Sequence, residues 1–305
     1  MTTAFYFQRQ DRGVVTVAGA DRLEFLQGLI SNDAAKAGDD RAIWSALLTP
    51  QGKFRHDFFL VAQGHRLLIE CESGDRLMDL GVTLRRYVLR ADVKLGVAKD
   101  LAVFQVAGDG ALDALGLDAE PGAAVAFAGG VAFVDPRLAD AGARVLAPAD
   151  QARAAFAEAE IAAGEKSAWD AIRIPLGLPD GSADLQVDKA ILLENGFDEL
   201  GGVDWNKGCY MGQELTARTK YRGLVKKRLT PVRLEGGSAT PGQLVTLGGK
   251  EAGELRSVAG DWALALLRLK AVKDAKTSGK RLEVDGVAAE PVRPAWMVWP
   301  EEEKA

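Results

Sequence analysis

Hydrophobic residues recur along this chain in two rhythms, one with the period of a strand and one with the period of a helix. Val14–Val17 is a short apolar run that predicts a strand. Asp21 then stands where a helix cap belongs, with Leu23, Leu26, Gln27 and Ile30 following at helical spacing. The stretch AIWSALLTPQGKFRHDFFLVAQGHRLLIECE predicts successive strands, broken at Pro50-Gln51-Gly52 and at Gln63-Gly64. GDRLMDLGVTLRRYVLR predicts an amphipathic helix with Leu77, Leu80, Leu84, Tyr87 and Val88 on one face. Strand-like pieces separated by Ala/Gly turns occupy Val93 to Val134, PADQARAAFAEAEIAAG predicts a further helix, and AWDAIRIPLGLPDGSADL leads into loops. From about Leu229 onward, LTPVRLEG, QLVTLGG, EAGELRSVAG, WALALLRL and KRLEVDG are short strands at regular spacing with glycine turns, the rhythm of a small β-barrel. Glu301–Lys304 reads as a charged, frayed tail.

Length and composition narrow the picture. At 305 residues the chain is about twice the usual domain, so several lobes are expected. Its net charge of −5 argues against a nucleic-acid binder acting through the whole surface. Two cysteines supply no disulfide framework and point to a reducing compartment; with His56 and His65 the only histidines, no zinc-type spacing is present. The N-terminal MTTAFYFQRQDRGVV lacks the apolar core of a signal peptide, and no window reaches the roughly 18 apolar residues of a membrane span. The expectation is a cytoplasmic protein with no membrane partner.

The chemistry concentrates in NKGCYMGQELTARTKYRG, Asn206 to Gly223. Gly208 and Gly212 flank Cys209 and allow tight turns and close approach. A helix starting near Met211 would put Cys209 at its N-terminal end, where amide N–H groups and the adjacent Lys207 favour a thiolate. Cys71, inside the apolar LLIECE, reads instead as a small core residue. From Lys207 to Arg228 seven basic residues face one acid, Glu214. That run is either a local anion-binding surface or a solvated helix face, and both stay open. Only Tyr210 and Tyr221 interleave with it, which argues against RNA.

KGCYMGQE followed by LTARTKYRG is a long match to the signature of the YgfZ-type folate-binding proteins. The matching positions are Lys207, Gly208, Cys209, Tyr210, Gly212, Gln213 and Glu214, then Ala217, Arg218, Arg222 and Gly223. DRLEFLQGLISNDA, LLTPQGKFRHDFFL, RRYVLRADV and LLENGFDELGGVDWNKGCY agree with it, and the continuation ELTARTKYRGLVKKRLTPVRL resembles the mitochondrial branch of the family. The resemblance implies an α+β fold like that of the glycine-cleavage T-protein (GcvT): two α+β lobes and a C-terminal barrel around a folate-sized hole. The expected lobes are residues 1–45 with 133–228, then 46–132, then a barrel over 229–300.

The resemblance further implies tetrahydrofolate, or a derivative, as ligand and a role in assembling or repairing [4Fe–4S] clusters in client enzymes, radical-SAM tRNA-modifying enzymes among them. Cys209 would supply the thiolate, Lys207 would tune and position it, and Gly208 and Gly212 would permit the backbone path. Gln213 and Glu214 would orient the loop, Arg218 and Arg222 would offer charge to folate or to a partner, and Asp57 would contact the pterin. One thiolate cannot hold a cluster alone, because clusters take about four cysteines; it could contribute to transient ligation shared with an iron–sulfur client or assembly protein, or protect a folate or cluster intermediate from oxidation, with no resident metal and no direct nucleic-acid partner. Two other readings compete. One is a folate-dependent aminomethyl- or methyltransferase, against which stand His56 beside Asp57 in place of an acidic pair, and Pro175 where those transferases place a glutamate. The other is a non-catalytic folate scaffold, in which Cys209 would be dispensable.

Overall fold

The computed structural model describes residues 3–236 and 239–299, and the expected tail at Glu301–Lys304 lies outside them. The chain divides into two compact units. The first runs to Pro50 and includes Arg55–Lys166 and Leu200–Gln213; the second holds Gln51–Phe54, Ser167–Glu199 and the chain from Glu214 onward.

Two sheets build the first unit. Five strands run in the spatial order Ile43–Leu48, Phe54–Gln63, Arg66–Glu72, Arg12–Ala18 and Lys94–Val97. The predicted break at Gln63-Gly64 is a hairpin that pairs Gln63 with Arg66. Against this sheet pack the helices Arg22–Gln27 and Asp75–Val88, burying Leu26, Leu80 and Leu84 with Val15, Val17, Leu60 and Ile69. Leu80 and Leu84 sit one turn apart on the inward face, as the apolar spacing requires, whereas Tyr87 stays 39% exposed.

The second sheet orders Ala162–Ala163, Phe5–Gln8, Ala102–Ala107, Ala143–Ala147, Gly130–Val134 and Ala124–Phe127. The helix Ala149–Glu158 covers one side of it, and Phe156 stacks with Tyr6, ring centroids 4.4 Å apart. Phe5–Gln8 pairs with Ala102–Ala107 and Arg12–Ala18 with Arg66–Glu72, so pairing between strands distant in sequence holds this unit together.

Ion pairs fasten the two sheets to each other. Glu70 of the five-stranded sheet takes Arg12 from the neighbouring strand and Arg144, 3.3 Å away, from the other sheet. The Arg144 guanidinium lies 4.0 Å from the centre of the Phe59 ring. All three charged groups are buried, and desolvation lowers the Arg144 guanidinium to about 10 although Glu70 opposes that shift. Beside them Arg137 is held by Asp135 at 2.7 Å and lies over Trp44 and Phe59.

In the second unit the strands Lys227–Leu234, Trp262–Arg268, Lys250–Ala259, Leu244–Leu247, Leu282–Val284 and Val287–Pro291 close into a barrel, the last pairing with the first through Arg233 and Glu290. The α+β fold with a C-terminal barrel is thus as expected. Not assigned from the sequence were the helices Lys166–Arg173 and Leu269–Ser278. The first ends on buried Arg173, which bonds Asp170 at 2.6 Å, Asp184 at 2.9 Å and the Leu178 carbonyl at 3.0 Å. Among the described residues no helix is long and apolar enough to cross a membrane.

Candidate functional site

The loop Asn206–Gly212 precedes the helix Gln213–Tyr221 and is held down at several points. Asp204 starts it. Its Oδ1 accepts the amides of Asn206 at 2.7 Å and Lys207 at 3.1 Å, a local turn of the kind a short carboxylate side chain favours. Its Oδ2 pairs with Lys36 at 2.5 Å. Burial pushes the Asp204 carboxyl up, but the Lys36 hydrogen bond and the two amides outweigh it and hold the group below its ordinary range.

Lys207 crosses to the turn after the first helix. Its Nζ donates to the carbonyls of Ile30 and Asn32, each at 2.7 Å, and stands 5.3 Å from the centre of the Tyr210 ring. Burial lowers the Lys207 ammonium to about 8, against the pull of Asp33 and Asp204. Asn32 completes the clamp, its Nδ2 donating to the carbonyls of Trp44 and Gly201 at 2.8 Å. Ser31 adds a hydrogen bond to the Gly202 carbonyl at 2.6 Å. At the far end the Met211 amide donates to the Gly28 carbonyl, and the Tyr87 hydroxyl donates to the Met211 sulfur at 3.0 Å.

Within this clamp Cys209 is exposed, while Cys71 is buried with its thiol pushed up to about 12 by desolvation. The helix begins at Gln213 rather than near Met211, so Cys209 lies in the loop ahead of it and not in the first turn. Gln213 ties the two together: its Oε1 accepts the Tyr210 amide at 2.9 Å, and its own amide donates to the Tyr210 carbonyl at 3.2 Å. Gly212 has φ +80°, a left-handed conformation; Gly208 does not, and a Cβ there would meet open space.

The remaining motif residues belong to the second unit. Glu214 and Arg218 are exposed on the helix, and Arg222 and Gly223 are exposed just beyond it, Gly223 at φ +59°. The basic run is partly spent internally: Lys220 pairs with Asp198 at 2.6 Å, and Arg228 with Glu199 and the Leu193 carbonyl.

Asp57 is buried in the first unit. Its Oδ2 accepts the Trp44 indole N–H at 3.1 Å, while Oδ1 has no hydrogen-bond partner among the described residues. Burial raises its carboxyl above the usual range, with Arg12 opposing. Trp44 also lines a cleft of about 330 Å³ together with Asn32, Lys36, Arg41 and Trp205. His56 turns elsewhere and bonds Asp79 at 2.8 Å. Among the described residues no cluster of three His, Cys, Asp or Glu forms a metal site.

Sequence reading missed Asn32 and Asp204. The signal for Asp204 was present, an Asp two residues before an Asn at a turn. That for Asn32 was not, since its partners lie 12 and 169 residues away.

Residues 226–299 match the family described as the CAF17 C-terminal beta-barrel domain. Over 96% of its length the chain is 32% identical to the mouse iron–sulfur cluster assembly factor IBA57, mitochondrial, covering 85% of that protein. The chain belongs to the IBA57 family. The human member is 33% identical over 88% of the chain and 78% of its own length. A solved aminomethyltransferase T of the glycine cleavage system from Bartonella henselae superposes with a TM-score of 0.78 over 97% of this chain and 87% of that one, at 16% identity, so the fold is GcvT-like. The kinship with iron–sulfur assembly factors read from Lys207–Gly223 therefore stands. The cytoplasmic expectation does not, because these family members are named as mitochondrial.

Proposed function

We propose that this protein supports iron–sulfur cluster assembly, presenting Cys209 as a transient thiolate ligand to a cluster that a partner protein also holds. Membership of the IBA57 family supports the reading. The observation that carries it is an exposed thiol on a loop clamped at both ends, by Lys207 on Ile30 and Asn32 and by Met211 on Gly28. A rigid, accessible, single sulfur suits a shared ligand, since the chain offers too few cysteines to retain a cluster by itself. The clients would include [4Fe–4S] radical-SAM tRNA-modifying enzymes.

Tetrahydrofolate is the small molecule proposed for the same unit. The unpartnered Asp57 Oδ1 is an acceptor for a pterin N–H, and the cleft along Trp44 supplies an aromatic wall with Lys36 and Arg41 on its rim. Calorimetry with tetrahydrofolate on the wild type and on Asp57→Ala tests this separately; equal binding by both removes Asp57 from the site.

The test of the main reading is complementation of cells lacking the protein, scored by the modified tRNA base. Wild type restores the base and Cys209→Ser does not. Full rescue by Cys209→Ser would reduce Cys209 to a bystander and leave the folate-scaffold account.

A further inference from the structure

A partner that shares a cluster with Cys209 must sit against the loop Asn206–Gly212, and the first unit holds a groove beside that loop. Phe25 and Leu29, with Tyr87 from the helix Asp75–Val88, form the apolar floor of a groove of about 360 Å³. Asp21 and Glu24 stand along it, and none of the described residues that line it is basic. Met211, two residues after Cys209, borders the groove through its amide bond to the Gly28 carbonyl and through the Tyr87 hydroxyl bond to its sulfur. Gly28 forms an open edge. It is exposed, has φ −78°, and a Cβ placed there would meet no atom within 4 Å.

We infer that this groove receives a segment of the cluster-sharing partner protein that presents an apolar side chain next to a Lys or Arg. The apolar floor takes the first, and the two carboxylates take the second. Continuity with the Cys209 loop makes the groove the surface such a partner meets, and the chain's net charge of −5 favours a basic segment. The inference rests on the reading of Cys209 as the residue that meets a partner.

Disulfide exchange at Cys209 tests it with defined probes on the full-length protein. The probes are the peptides Cys-Gly-Leu-Lys, Cys-Gly-Leu-Glu and Cys-Gly-Ser-Ser, acetylated and amidated at their ends, each supplied as a mixed disulfide with cysteamine. The Cys209 thiolate attacks the peptide sulfur, and cysteamine thiolate leaves and is protonated, so one disulfide replaces another. Adducts are titrated with 2-mercaptoethanol and mapped by mass spectrometry. The Leu-Lys adduct is expected to survive about tenfold more reductant than the Ser-Ser adduct, the order of effect for burying a Leu-sized side chain, and more than the Leu-Glu adduct, whose carboxylate meets Asp21 and Glu24. Gly28→Phe fills the groove and brings the Leu-Lys adduct down to the level of Ser-Ser, whose own adduct is unchanged. Glu24→Lys moves the preference toward Leu-Glu. Equal survival of all three adducts on the wild type, or a Leu-Lys preference that persists in both variants, would overturn the inference. Neither result touches the role of Cys209, which stands or falls on complementation by Cys209→Ser.

Discussion

The ammonium of Lys207 lies 2.7 Å from the carbonyl oxygen of Asn32, a residue 175 positions earlier in the chain. With the equal bond to Ile30 this spends two of the three ammonium protons on backbone, so Lys207 is a clamp for the Cys209 loop. Lys207→Met should free that loop. A hydrogen bond from a charged donor contributes about 1.5–3 kcal/mol, so amide exchange across residues 205–211 should rise at least about tenfold. Hydrogen-exchange mass spectrometry checks this; unchanged rates would assign the clamp to Asp204 and Asn32 alone.

Thiol reactivity should split cleanly. Cys209 is exposed, whereas burial holds the Cys71 thiol up at about 12. Iodoacetamide on the native protein is expected to modify Cys209 only, and both cysteines after denaturation. Native labelling of Cys71 would contradict the packed strand Arg66–Glu72.

The motif glycines should separate by backbone. Gly208→Ala adds a methyl in open space at an ordinary φ and should change stability by no more than about 0.5 kcal/mol. Gly212→Ala, at φ +80°, should cost roughly 1–2 kcal/mol. Denaturant midpoints decide it. A Gly208→Ala protein that folds normally yet fails to complement would place Gly208 at a contact with the partner.

Glu70 answers two buried arginines, Arg12 and Arg144. Glu70→Gln leaves both charges without their carboxylate and should destabilise the first unit by roughly 3–5 kcal/mol. Thermal unfolding monitored by tryptophan fluorescence would report it, and a loss below about 1 kcal/mol would show that Arg–aromatic contacts dominate there.

Stability should fall as the medium is acidified below about pH 6.5, and His56 is one reason. Burial, with Arg76 adding, lowers its imidazole to about 4, although the Asp79 hydrogen bond opposes this. Between about pH 6.5 and 4 the unfolded chain therefore binds a proton that the folded one refuses, and stability drops with falling pH by on the order of 3 kcal/mol. His56→Gln should flatten the stability profile across that window. An unchanged slope would mean that other groups carry it.

Local pattern alone marked the helix Asp75–Val88, the strands around it and the barrel strands other than Val287–Pro291, because side-chain period and glycine turns are properties of neighbouring residues. It also singled out Cys209 and its flanking glycines. The helix Leu269–Ser278 escaped it, since LKAVKDAKTS follows a strand run directly and lacks a side-chain cap. Asp21 was rightly placed at a helix start, yet its carboxylate bonds the Asp92 amide at 2.7 Å and makes no cap hydrogen bond. Only the tertiary structure could place the Lys207 ammonium on Ile30 and Asn32, Met211 on Gly28 and Tyr87, and Glu70 between Arg12 and Arg144. Each of those partners is remote in the chain, and a hydrogen bond or ion pair depends on where two groups meet in space, which residue types and spacing do not encode.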